Sequence, residues 1–132
     1  MITYKDDQIP SSESIIELYH DAGLQRPLLD LERITRMYQN SDIVVTAWDK
    51  NNLIGIARSI TDFCYSCYLA DLAVRKSHQG QGVAKNLVIL TKDIVGLQTT
   101  LLLLSSDNAI DFYKKIGFEH IPNKAFMIKR MH

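Results

Sequence analysis

The 132-residue chain has no surplus of charge of either sign: fifteen basic and fifteen acidic residues cancel to a formal net charge of zero. A nucleic-acid binder needs a basic excess on one face, so that class is set aside. Long apolar runs are also missing, and none approaches the roughly 20 residues of a membrane-spanning helix. The opening MITYKDDQIP has no basic stretch leading into an apolar segment, so no secretory leader is expected and the expected compartment is cytoplasmic. Cysteine is scarce: Cys64 and Cys67, in the order C-Y-S-C, are the two present. A redox pair of this spacing wants its first thiol at a helix start, whereas DFCYSCYLA reads as strand and turn. A zinc site needs about four ligands, and His20, His78, His120 and His132 show no ligand spacing. The thiols are read as plain buried or half-buried groups, and no metal is expected. No repeat or linker interrupts the chain, so residues 1–132 are expected to form one domain around one core.

The patterning that is present places elements along the chain. Ile2 to Lys5 suits a short strand. Pro10-Ser11-Ser12 opens a helix with Ile15, Ile16, Leu18 and Tyr19 as its apolar stripe and Gly23 as its stop. Leu28, Leu31, Ile34, Met37 and Tyr38 predict a second helix. DIVVTAWD, LIGIARSI and YSCYLADLAV then form a strand meander, with the DKNN cluster turning the first hairpin. Val83, Leu87, Leu90 and Ile94 recur at helical spacing. TTLLLLS, Thr99 to Ser105, is a continuous apolar strand, which implies burial on both faces. Asp107 caps a short helix ending at Gly117, and Phe118–Ile121 with Ala125–Lys129 suit a final hairpin around Pro122-Asn123. The order is β-α-α-β-β-β-α-β-α-β-β. The fold class is α+β, or mixed α/β, with a parallel crossover in a mixed sheet.

VRKSHQGQGVAKNLV sits between the third meander strand and the next helix. A glycine turn that opens a helix offers unpartnered amides and positive potential to an anion. Two phosphate patterns fail here. The P-loop needs G-x-x-x-x-G-K-[ST], which is absent; the dinucleotide fingerprint needs a third glycine where Lys85 stands and an acid on TTLLLLS. Gln79-Gly80-Gln81-Gly82-Val83-Ala84 instead resembles the [Q/R]-x-x-G-x-[G/A] loop of the GNAT N-acetyltransferases. LADLAV before it resembles that family's loop-bearing strand, and IDFYKKIGFE resembles its closing helix with Phe-Tyr and Gly-Phe. The element order matches as well, over nearly the whole chain, implying a largely antiparallel central sheet flanked by helices.

The resemblance implies an acyltransferase that moves an acetyl group from acetyl-CoA to a primary amine of a small molecule or protein, by direct attack on the thioester. It implies that the amides of Gln79 to Ala84 hold the pyrophosphate. It implies that Leu72, Ala73 and Val74 pair with the pantetheine arm, with an amide near Ala73 or Val74 facing the thioester oxygen. The family often carries an asparagine three residues before the alanine of its closing helix. Here Ser106 stands at that spacing and Asn108 is close by, so the cofactor contact falls to one of them. Tyr113 matches the family's acid for the departing thiolate, although Ala109, Phe112, Tyr113 and Ile116 also read as a core stripe.

Asp71 is out of place in YLADLAV unless something needs a carboxylate there. Alternation puts it with Leu69 and Ala73 on one face. It is a candidate base for the amine, with a buried hydrogen-bonding partner or a binder of the cationic amine as alternatives. The acceptor pocket is expected to draw on Arg26, Tyr38, Trp48, Arg58 and Asp62, and His78 is expected to pack beside the loop. A non-catalytic acyl-CoA-binding or sensing module is the alternative function. A homodimer is left open.

Overall fold

A computed structural model describes residues 1–131, so His132 lies outside the described residues. Strand β1 (Ile2–Lys5) leads to helices α1 (Ser12–Ala22) and α2 (Leu31–Gln39). The meander β2 (Ile43–Asp49), β3 (Asn52–Thr61) and β4 (Ser66–Val74) follows, then α3 (Val83–Val95), β5 (Thr100–Leu102) and α4 (Ile110–Lys115). The helix ends sit where local chemistry puts them. Ser11 caps α1 through the Ser14 amide, and Gly23 closes it with a left-handed φ of 77°. Asp30 caps α2 through the Arg33 amide, so this helix begins three residues after Leu28, the first residue of its sequence stripe.

The sheet order is β1-β2-β3-β4-β5, antiparallel throughout except for the parallel pair β4–β5, which α3 connects. Helix α3 covers one face with Val83, Leu87, Val88 and Val95 against Val45, Ala47, Ala57 and Leu69. Helices α1 and α2 cover the other with Ile15, Leu18, Tyr19, Ile34 and Tyr38 against Val44, Ile56 and Ala73. Gly55 lets α3 approach closely, since a Cβ there would lie 3.1 Å from side-chain atoms of both Val83 and Leu87. Among the described residues no helix is long and apolar enough to cross a membrane.

Four expectations change. Asp107 does not cap α4: it lies within a 3₁₀ turn, Asp107–Ala109, and α4 starts at Ile110 with no side-chain cap bond. The run TTLLLLS is not buried on both faces. Leu101 and Leu103 are half-buried towards α3, but Leu102 and Leu104 are 55% and 54% exposed. The strand ends the sheet, beyond the elements that α1 and α2 pack against, so one of its faces has no cover. The final hairpin is also absent: residues 118–121 and 125–129 form no strand, although a turn does occur at 122–123. Lastly, Asp71 does not share a face with Leu69. Arg58 pairs with Asp71 while Ser59 pairs with Leu69, which leaves Ala70 as the extra residue of a β-bulge. The bulge reverses the alternation. Leu69 faces α3, whereas Asp71 and Ala73 face α1.

Candidate active site

The two parallel strands part company within the sheet. Strand β5 pairs with β4 at Ser66, Cys67 and Tyr68 and stops there, while β4 runs on to Val74. From Leu69 to Val74 the inner edge of β4 therefore has no strand beside it. The Arg75 amide donates to the Ile54 carbonyl of β3 at 2.8 Å. Alternation then turns the polar groups of Ala73 towards β3 and those of Leu72 and Val74 into the gap. Of the two amides the sequence nominates for a thioester oxygen, Val74 faces the gap and Ala73 faces Ile56. The Gln79 side-chain Nε2 donates to the Val74 carbonyl at 3.0 Å, which ties the loop to the end of this edge.

That edge leads into the glycine loop. A short 3₁₀ turn, Lys76–His78, precedes it. Gly80 and Gly82 adopt φ of 79° and 82°, a left-handed conformation that side chains resist. A Cβ at either would meet nothing within 4 Å, so the backbone here borders open space. Helix α3 begins directly at Val83 without a side-chain cap. Its first amides are free of the usual intrahelical partners and sit at the positive end of the helix dipole. The loop's neighbours are turned elsewhere: Arg75 pairs with Glu17 at 2.8 Å, and His78 reaches Asp49 at 2.9 Å. Lys85 is exposed on the first turn of α3. What this loop offers an anion is backbone and dipole rather than a side-chain cation.

Beside the gap lies a buried polar cluster. Asp71 Oδ1 accepts from Arg26 Nε at 2.6 Å. Asp71 Oδ2 accepts from Arg58 Nε at 2.6 Å and from the Tyr19 hydroxyl at 2.8 Å. The Asp71 side chain has 0% exposure. Tyr19 and Tyr38 hydrogen-bond to each other through their hydroxyls. Arg58 lies 5.8 Å from the Tyr38 ring centre and also donates to Ser41. Arg26 donates a second time to the carbonyl of Ala70, the bulge residue. Burial, reinforced by Tyr38 and Asp71, pushes the Tyr19 phenol far above its usual value. Burial does the same to Tyr38, so both stay protonated donors. Burial pulls on the Arg58 guanidinium, but Asp71 more than offsets it and its pKa ends raised. One carboxylate faces two guanidiniums, so the cluster carries an excess positive charge.

Helix α4 presents Tyr113 in edge-to-face contact with Phe112 and Phe118, at 5.2 and 5.5 Å between ring centres. Burial raises its phenol pKa. Ser106 and Asn108 flank the preceding turn, both exposed.

A protein-family model described as an acetyltransferase (GNAT) domain matches residues 40–120, more than half of the chain. The chain belongs to the GNAT family of acetyltransferases. A chloroplastic GCN5-related N-acetyltransferase of Arabidopsis thaliana is 33% identical over 55% of this chain and 29% of its own length. The chain thus spans about a third of the plant relatives it matches. A protein of unknown function from meticillin-resistant Staphylococcus aureus, described as a probable acetyltransferase, superposes with a TM-score of 0.87 at 25% identity. That match covers 100% of both chains. An aminoglycoside N-acetyltransferase solved with CoA shares the fold at a TM-score of 0.75 and 17% identity, covering 98% of this chain and 95% of its own.

Within this GNAT frame the nominated residues separate into groups. The structure brings Leu72 and Val74, the loop Gln79 to Ala84, and the cluster Arg26–Asp71–Arg58 to one end of β4. It does not bring Trp48 or Asp62 there. Trp48 is level with the loop end of β4 but two strands away on β2, opposite Leu53, bonded to Thr46 and covered by Lys5. Asp62 organises its own turn: its Oδ1 accepts from the amides of Cys64, Tyr65 and Ser66, which hold its carboxyl down at about 2. Cys64 and Cys67 are both free thiols, one exposed and one buried. Sequence reasoning missed Tyr19 as a site residue because it sits in an apolar helix stripe. The signal was available: it is the one residue of that stripe with a polar tip, and Asp71 needed a donor.

Proposed function

We propose that this chain transfers an acetyl group from acetyl-CoA to a primary amine of a small molecule or protein. The observation that carries the reading is the unpaired inner edge of β4, which ends at an uncapped helix behind Gly80 and Gly82. An extended amide-bearing arm fits such an edge as an added strand, and a pyrophosphate fits the amides at the helix start. Leu72 and Val74 supply the edge, and Gln79 to Ala84 supply the anion cradle. In this reading Ser106 or Asn108, both exposed at the turn before α4, contacts the same substrate.

Acetyl-CoA supplies an activated acyl carbon and a thiolate leaving group; the amine attacks that carbon directly. Val74 N–H donates to the carbonyl oxygen as negative charge develops on it. Tyr113, a phenol protonated at neutral pH, gives its proton to the departing sulfur. An alkylamine must first lose a proton, which costs about 4.6 kcal/mol at pH 7 for a pKa near 10.4. Asp71 is poorly disposed to take that proton, since both its oxygens already accept from charged or hydroxyl donors and no part of it reaches solvent. We assign the proton to water in the open gap. Asp71 becomes a positioning residue that ties Arg26 and Arg58 to the bulge beside the thioester site.

The proposal treats residues 1–132 as one domain, supported by the single sheet that both cores share. Cytoplasmic residence belongs to it too, supported by two thiols left free three residues apart. The test is a thiol-release screen of acetyl-CoA against amines, amino acids and peptides, paired with calorimetry. Binding with amine-dependent thiol release is expected. Absence of acetyl-CoA binding overturns the reading, and binding without release to any amine favours a sensing module instead.

A further inference from the structure

The buried cluster holds more positive charge than it spends on itself. Asp71 accepts from the Nε of each arginine, so it grips both from the side and leaves their outer ends in part unused. Arg26 gives one N–H of Nη1 to the Gln25 carbonyl and one of Nη2 to the Ala70 carbonyl, which leaves one on each nitrogen. Arg58 gives one N–H of Nη1 to Ser41, and its Nη2 has no partner among the described residues. That nitrogen is not sealed in. Among the described residues the sealed side-chain polar atom without a partner is Ser59 Oγ, so Nη2 of Arg58 opens onto space outside the protein. The Arg26 side chain is 30% exposed.

Nothing else in the chain cancels the surplus. Among the described residues Asp71 is the one ion-pair partner of both arginines. Asp42 and Asp62 stand at the same end of β3, but Asp42 accepts from the Thr61 amide and Asp62 from the amides of its own turn. Tyr19 and Tyr38 are neutral. A second guanidinium is costly to bury unless an anion answers it. The surroundings show what that anion is attached to. On the face that α1 packs against, Arg58 lies opposite Asp71, and the next row along is Ile60 opposite Tyr68 opposite Leu102, all three exposed. The bulge at Ala70 puts Tyr68 and Asp71 on this one face; regular alternation would set them on opposite ones. The open donors of Arg58 thus stand at the head of an apolar shelf. Arg26, bonded to Ala70, stands at the start of the unpaired edge of β4.

We infer that the acceptor carries a carboxylate beside its amine, held by the free N–H groups of Arg26 and Arg58, while its apolar body lies on Ile60, Tyr68 and Leu102. This rests on the acetyl-transfer reading and narrows its amine to an amino acid with an apolar side chain. Guanidinium N–H groups suit a carboxylate in geometry as well as in charge. The surplus of one positive charge matches one carboxylate, whereas a phosphate monoester brings about −1.5 to −2 and overfills the site. A polyamine is disfavoured, because the outward charge is positive and Asp71, with 0% side-chain exposure and both oxygens taken, offers a cation nothing. The two arginines therefore select the acceptor, and Asp71 holds them in place to do so.

The experiment measures thiol release from acetyl-CoA by the full chain with matched acceptors: leucine, leucinamide and isopentylamine, and the corresponding set built on phenylalanine. Each set keeps the amine and the apolar body and changes the carboxylate. The kcat/KM of each amino acid should exceed that of its amide and of its bare amine by about 100-fold. The amide has the least protonated amine of the three, so its slower reaction is not an effect of protonation. Arg26→Gln should lower the acid-to-amide ratio by about 10-fold, with acetyl-CoA calorimetry reporting that the variant is folded. A purely structural role would slow all three acceptors alike and leave that ratio where it was, which overturns the assignment of Arg26. Should the variant fail to fold, the ratios of the unsubstituted chain decide. Equal release from all three acceptors, or release confined to amines without a carboxylate, overturns the proposal and leaves acetyl transfer standing. No release from any amine overturns both.

Discussion

Asp71→Asn removes the negative charge from the buried cluster while keeping the side chain's shape. Two guanidiniums then face a neutral amide, and one amide N–H₂ is pressed towards an arginine donor. Breaking a buried ion pair typically costs about 3–5 kcal/mol. Here the two arginines respond differently. The Arg26 side chain is 30% exposed and can turn to water, whereas Arg58 is 11% exposed and remains trapped over Tyr38. One stranded charge rather than two sets the cost at the low end, about 3 kcal/mol. For a chain of this size that is a melting temperature about 10–12 °C lower. Urea unfolding followed by tryptophan fluorescence and circular dichroism measures it. Replacing the set apolarly, as Asp71→Leu with Arg58→Met, should recover more than half of the loss. A loss below about 1 kcal/mol for Asp71→Asn would refute the trapped-charge argument. The same variant separates base from positioning residue. With water as the proton acceptor, the acidic limb of the pH–rate profile persists in the folded fraction; its disappearance would restore Asp71 as the base.

Three further outcomes follow from the same geometry. Gly82→Trp should abolish acetyl-CoA binding by calorimetry, because a side chain is strained at φ of 82° and would fill the open space through which the phosphates approach; unchanged affinity would move the anion site elsewhere. Tyr113→Phe should preserve binding and slow turnover by about 10²-fold, and an unaltered kcat would leave Tyr113 as part of the aromatic packing alone. Asp62 has a carboxyl lowered to about 2 by three backbone amides. Its folded form therefore binds a proton less readily than the unfolded chain, and its contribution to stability is present above pH 4 and is lost as pH falls from about 4 to 2. A carboxyl-carbon NMR titration should show that low midpoint, and a midpoint near 3.8 would break the turn assignment.

The legible parts were those written in adjacent residues. Ser11, Gly23 and the DKNN turn each act on the backbone within a few positions, so the helix ends and the first hairpin could be read directly. The glycine turn was legible for the same reason: Gly80 and Gly82 take left-handed φ within a few residues of the start of α3. Asp71 was visible as an anomaly, a carboxylate in an apolar strand. Its partners were not, because Tyr19 and Arg26 lie 52 and 45 residues away and reach it only once α1 packs on β4. The bulge at Ala70 was equally hidden, since nothing in YLADLAV announces the extra residue that reversed its faces.

The chain's sequence by itself determined the two ends of α1, the glycine turn and the absence of a charge footprint, because these depend on neighbours in the chain. The tertiary structure decided where β4 and β5 separate, because strand pairing is settled between elements and ends where β5 stops after Leu102. It also decided the state of Asp71. A carboxylate's chemistry depends on which donors surround it, and Arg26, Arg58 and Tyr19 converge on it only in three dimensions.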